Sequence, residues 1–213
     1  MEKTKLVFVR HGESLANAQK IYLGHLDWDL SELGKRQARI TAEFLANEPF
    51  AAIYSSDLIR AFNTAIPNSE IHNLPIIKSR ELREIFLGDW EGLTLSELEE
   101  RYHDEFFIGW RENFGEFTPP NGESIQTLAR RIYNEALRIA KAHIGETVLI
   151  TTHAAAIRSF WGLITKTQPS KLAERIPFPS NASFSTVYFD GNELVPGEYS
   201  CDAHIKIKTY VDA

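Results

Sequence analysis

Three short apolar runs rich in β-branched residues constrain the fold more than any other feature: Lys5–Val9 (KLVFV), Ala51–Ser55 (AAIYS) and Thr147–Thr151 (TVLIT). Their continuous apolar character suits strands buried on both faces. Helical patterns alternate with them. Ser31–Ala46 reads as a helix capped by Ser31, and Asp57–Ile66 as a helix stopped by Pro67. Pro75–Lys78 reads as a short strand, Ser124–His143 as a strongly amphipathic helix ending near Gly145, and Ala154–Ile164 as a helix running directly out of a strand. Ala182–Phe189, with its period-2 pattern, reads as a late edge strand. This alternation predicts an α/β fold, a three-layer α/β/α sandwich around a mostly parallel sheet. Tyr102–Pro120 fits least well. It is crowded with Tyr102, Phe106, Phe107, Trp110, Phe114 and Phe117, and predicts either an aromatic-rich helical lid or a second helical layer over the core.

Residues 1–213 are expected to form one domain, with the lid or insertion at roughly 93–123; a chain of this length buries enough surface for a real core. Twenty-three Lys and Arg against 29 Asp and Glu give a net charge of −6, which argues against nucleic acid or an anionic membrane as a partner. The single cysteine, Cys201, excludes an internal disulfide and a four-cysteine zinc site. Leu6–Val9 is too short for a signal-peptide core, and no apolar stretch approaches the roughly 18 residues that cross a bilayer. The expected location is cytoplasmic.

Ligands of open α/β sheets bind beyond the carboxyl ends of the strands. After KLVFV comes Arg10-His11-Gly12-Glu13-Ser14, after AAIYS comes Ser56-Asp57-Leu58-Ile59-Arg60, and after TVLIT comes Thr152-His153-Ala154. Two arginines and two histidines thus meet at one end of one sheet, an arrangement suited to an anion with phosphate or carboxylate geometry. A metal fits poorly, because Arg10 adjoins His11 and neither histidine has a carboxylate at ligand spacing. A neutral imidazole, by contrast, can attack phosphorus while guanidinium groups stabilise the transferring charge. Gly12 is expected to let the backbone approach the substrate, and the helix opening at Ala154 to add N–H donors.

Arg10-His11-Gly12, followed by Glu13, Ser14 and Asn17, resembles the RHG signature of the histidine phosphatase (phosphoglycerate mutase-like) superfamily. The resemblance continues through Gly24–Asp27 with Leu30, Ser31 and Gly34, then Ser55–Ala61 with Thr64 and Ala65. It extends to Leu82-Arg83-Glu84 with Gly88–Gly92, Asn121–Ser124, and His153–Arg158. It implies that His11 is a nucleophile that becomes phosphohistidine. Arg10, Arg60 and His153 would clamp the phosphoryl oxygens, Asn17, Gly24 and Ala154 would line the same pocket, and Glu84 would donate a proton to the leaving oxygen and later activate water. Neither a metal nor a cofactor is implied, and the implied partner is a small phosphorylated metabolite.

The chain departs from the family pattern in two places. Ala154-Ala155-Ala156 stand where glycines are usual, and Ala16 stands where tryptophan is frequent. Neither removes a reacting group. Within the superfamily, phosphoglycerate mutases resemble one another in a Glu-Arg-His-Tyr-Gly stretch where this chain has Glu84-Ile85-Phe86-Leu87-Gly88, which points to a phosphatase. The alternatives are a cofactor-dependent phosphoglycerate mutase and a non-catalytic phosphate-binding module on the same fold. Asp27-Trp28-Asp29 mimics a magnesium-phosphatase motif but reads better as a loop. His25, His72, His103, His143 and His204 read as surface or packing residues.

Overall fold

A computed structural model describes residues 3–206. Its centre is a six-stranded sheet in the order β3-β2-β4-β1-β5-β6, built from β1 (Thr4–Arg10), β2 (Phe50–Ser56), β3 (Ile76–Ser79), β4 (Thr147–Thr152), β5 (Phe184–Phe189) and β6 (Leu194–Pro196). β3, β2, β4 and β1 run parallel, β5 is antiparallel to β1, and β6 is antiparallel to β5. In β1, Leu6 and Phe8 join one cluster while Val7 and Val9 join the other. That alternation is why the run carries no polar face. The Leu6 and Phe8 side packs against α5 (Ile125–Ala142) and α6 (Ala154–Ile164), the Val7 and Val9 side against the end of α2 (Glu32–Phe44) and against α3 (Ile59–His72). The three-layer α/β/α architecture is therefore present.

Two expectations are corrected. Pro67 does not stop its helix: α3 starts at Ile59, carries Pro67 inside, and ends at Asn73, whose left-handed φ of 53° caps it. The strand expected at the edge is interior. β5 lies between β1 and β6, and its polar Ser185 and Thr186 are buried, satisfied by the N–H groups of Ser200 at 2.9 Å and Glu198 at 2.9 Å. A strand whose polar side chains bind neighbouring backbone mimics one that faces water.

The aromatic segment forms a helix, α4 (Leu95–Arg101), then a π-helical turn over Glu105–Glu112 and a short 3-10 turn over Phe114–Glu116. Phe106, Trp110, Phe114 and Phe117 are buried and join the larger core cluster. Trp90 lies at its centre, with ring centroids 5.0–6.1 Å from Phe117, Phe106, Trp110 and Tyr102. The segment is packed as a layer over that side of the sheet.

Candidate active site

The strand order sets β4 between β2 and β1, so their carboxyl ends deliver Ser56, His153 and Arg10-His11 side by side. The backbone continues this register past the strand end, His11 N–H donating to Thr152 O at 3.0 Å. A cavity of about 370 Å³ opens there. Arg10, His11, Asn17, Gly24, Arg60, Glu84 and Ala154 all line it. His153 is fully buried outside that lining, its ring edge-on to His11 with centroids 5.2 Å apart. The expected residues thus converge on the cavity, His153 through its contact with His11.

His11 Nδ1 lies 2.7 Å from Gly12 O. A carbonyl only accepts, so Nδ1 carries the proton and Nε2 keeps a free lone pair. Burial first, then the charges of Arg60 and Arg10, hold the His11 pKa well below its ordinary value, so the ring is neutral at pH 7. His153 is shifted the same way by burial, Arg60 and His11.

Both arginines are anchored by carbonyls. Arg60, 2% exposed, donates from Nη1 to Leu26 O at 2.9 Å and from Nη2 to Gly24 O at 2.8 Å. Arg10 Nη1 donates to Pro179 O at 2.5 Å, and its buried Nε has no partner among the described residues. Burial lowers the Arg10 pKa to about 10, partly offset by Glu84, and it remains a cation at neutral pH. Asp27 accepts the Ile59 N–H at 2.7 Å and Asp29 accepts from Asn63 Nδ2 at 2.7 Å. These carboxylates hold the loop against the first turns of α3, the helix that carries Arg60.

Glu84 lies in irregular chain between β3 and α4. Its carboxylate accepts three N–H groups, from Ile85 at 3.0 Å, Ala156 at 3.1 Å and Ala155 at 3.2 Å. Two of the α6 donors expected to face the substrate are therefore taken by Glu84. Its backbone is pinned as well. Glu84 O accepts from Arg131 Nη2 at 3.2 Å and lies 2.9 Å from His25 Nε2. Arg131 also binds Arg83 O, Glu81 O and, through two nitrogens, Glu123. His25, expected to be a surface or packing residue, and Arg131 thus both hold the Glu84 carbonyl, and neither stands in a strand-end position that a sequence pattern marks.

Gly12 packs against the start of α2. A Cβ there would meet Gly34 O at 2.4 Å, so its missing side chain admits the first turn of α2. Asn17 Oδ1 accepts Ser14 N–H at 3.2 Å and Asn181 Nδ2 at 3.2 Å. The outer wall consists of Ile21, Tyr22, Leu23, Leu87, Leu95, Trp110 and Phe178, with Lys20 beside them. Sequence reasoning could flag the aromatics as a group but had no signal for which ring reaches the cavity. Trp110 and Phe178 stack with centroids 5.8 Å apart, and the Arg158 guanidinium lies 4.1 Å from the Phe178 centroid. Among the described residues no three His, Cys, Asp or Glu come together as a metal-binding group, and no helix is long and apolar enough to cross a membrane.

Residues 6–201 match the family model described as "Histidine phosphatase superfamily (branch 1)". Phosphoserine phosphatase 1 of Hydrogenobacter thermophilus is 33% identical over 210 residues, covering 98% of this chain and 97% of that protein. The metal-independent phosphoserine phosphatase of Arabidopsis thaliana is 32% identical, covering 96% and 84%. Among solved structures, Bacillus stearothermophilus YhfR superposes with a TM-score of 0.87 at 30% identity, covering 95% and 99%. Mycobacterial glucosyl-3-phosphoglycerate phosphatase in complex with VO3 does so with 0.85 at 28%, covering 92% and 98%. With the family match spanning nearly the whole chain, this protein belongs to the histidine phosphatase superfamily.

Proposed function

We propose that the protein is a metal-independent phosphomonoesterase working through a phosphohistidine on His11. The observation that carries this reading is the His11 tautomer: the Gly12 carbonyl holds the proton on Nδ1, leaving the Nε2 lone pair beside two arginines. In the first step Nε2 bonds to phosphorus as the ester P–O bond breaks, and Glu84 gives its proton to the departing oxygen. In the second, water attacks phosphorus, Glu84 takes its proton, and the N–P bond breaks to release phosphate. Arg10, Arg60 and His153 hold the phosphoryl oxygens and spread their charge, with Asn17, Gly24 and Ala154 shaping the pocket. A non-catalytic module would have no use for a nucleophile and a proton donor.

The alcohol side of the cavity supports a substrate with a small apolar or aromatic leaving group. Ile85 and Leu87 stand on the wall in the stretch where mutases carry Arg-His-Tyr, and Leu95, Trp110 and Phe178 continue the apolar surface. Benzyl phosphate and O-phosphoserine both release a basic alkyl alcohol, so their kcat/KM ratio isolates recognition. Burying the ring favours benzyl phosphate by about tenfold or more. A preference for O-phosphoserine, or for transfer to phosphoglycerate over release to water, would overturn this reading.

A further inference from the structure

A neutral histidine donates from only one nitrogen, so the position of the proton on His153 decides whether that ring attracts or repels a phosphoryl oxygen. His153 Nε2 lies 2.8 Å from Ser56 Oγ, and Nδ1 is buried with no partner among the described residues. Ser56 is fully buried at the carboxyl end of β2. Its hydroxyl oxygen already accepts the Leu58 N–H at 3.3 Å, which leaves the hydroxyl one proton to place. The Nε2 lone pair is the acceptor within reach. The opposite arrangement, Nε2–H donating to Oγ, would strand the hydroxyl proton and leave Nδ1 a lone pair that repels an anion.

We propose that Ser56 is a positioning residue: its hydroxyl donates to His153 Nε2, fixes the Nδ1–H tautomer, and so makes Nδ1–H a donor to the transferring phosphoryl group. Rings 5.2 Å apart then share one tautomer for opposite purposes. His11 is held by a carbonyl at Nδ1 and attacks through Nε2. His153 is held by a hydroxyl at Nε2 and donates through Nδ1. The inference rests on the phosphoryl-transfer reading and adds a residue that touches no substrate.

The test uses the full chain labelled with 15N-histidine, with inorganic phosphate and vanadate as probes. In the wild type, long-range 1H–15N spectra should show a protonated Nδ1 and an unprotonated Nε2 on His153. Ser56→Ala should admit the Nε2–H tautomer and weaken phosphate and vanadate binding by about 10- to 100-fold, the worth of one hydrogen bond to a charged group. Ser56→Thr, which keeps the hydroxyl, should retain both. An Nε2–H His153 in the wild type overturns the inference, and that spectrum does not depend on any variant folding. So does weakened binding in Ser56→Ala without a tautomer change, or a tautomer change with unaltered binding. Phosphohistidine labelling of wild-type His11 separates the two levels. A labelled His11 beside an Nε2–H His153 sinks only this inference, whereas an Nδ1–H His153 with no labelled His11 sinks the phosphatase mechanism.

Discussion

A buried imidazole that stays neutral has a thermodynamic signature with a definite sign. The folded-state pKa values of His11 and His153 lie well below 6.5. Well above pH 6.5 both rings are neutral folded and unfolded, and neither affects stability. Below it, the unfolded chain binds protons that the folded chain refuses, so stability falls as pH drops from about 6.5 toward the folded values. His153→Asn should therefore lose less than the wild type in urea-unfolding free energy between pH 6.5 and 5.5, by at most about 1 kcal/mol. Equal losses would show that His153 is not held neutral. Arg60 makes a second demand of single-residue chemistry. Its guanidinium bridges the Gly24 and Leu26 carbonyls and still has N–H groups for an anion, which a lysine ammonium cannot reproduce. Arg60→Lys should lose about tenfold or more in kcat/KM on any phosphomonoester. Near wild-type activity would reduce Arg60 to a diffuse charge.

At the scale of elements, the residues legible in the sequence were those that directly follow a strand. Arg10, His11 and His153 follow uniform apolar runs, and the parallel order of β2, β4 and β1 does the rest. Glu84 had no such signal and came only through the resemblance, because it lies in irregular chain whose position is set by distant partners. Arg131 of α5, His25 and the first turn of α6 hold it. None of those contacts has a sequence period. β5 and α3 misled for local reasons, buried hydroxyls mimicking an exposed face in one and an unbroken helix through Pro67 in the other. The placement of Glu84 gives a prediction with an internal control. Glu84→Gln keeps the shape but cannot supply the proton. Single-turnover phosphorylation by benzyl phosphate should slow by about 10²–10⁴-fold. With p-nitrophenyl phosphate, whose leaving group departs unaided, it should slow far less. Equal slowing would show that another group protonates the alcohol.

For the whole molecule, a chain of net charge −6 gathers Arg10 and Arg60 at the carboxyl end of one sheet and places an aromatic layer over the adjoining wall. The cations belong to a local site, and the overall charge says little about it. The aromatic layer shares its core with the sheet, and it presents Trp110 to the cavity. Asp27 and Asp29 each offer Oδ1 to α3, tying the loop to the helix that carries Arg60. The most direct test is to trap the protein with a 32P-labelled phosphomonoester in excess EDTA and map the label. An acid-labile, base-stable phosphate should appear on His11, undiminished by EDTA and absent in His11→Ala. A label on another residue, or one that forms only when Mg²⁺ is restored, would contradict the phosphohistidine mechanism.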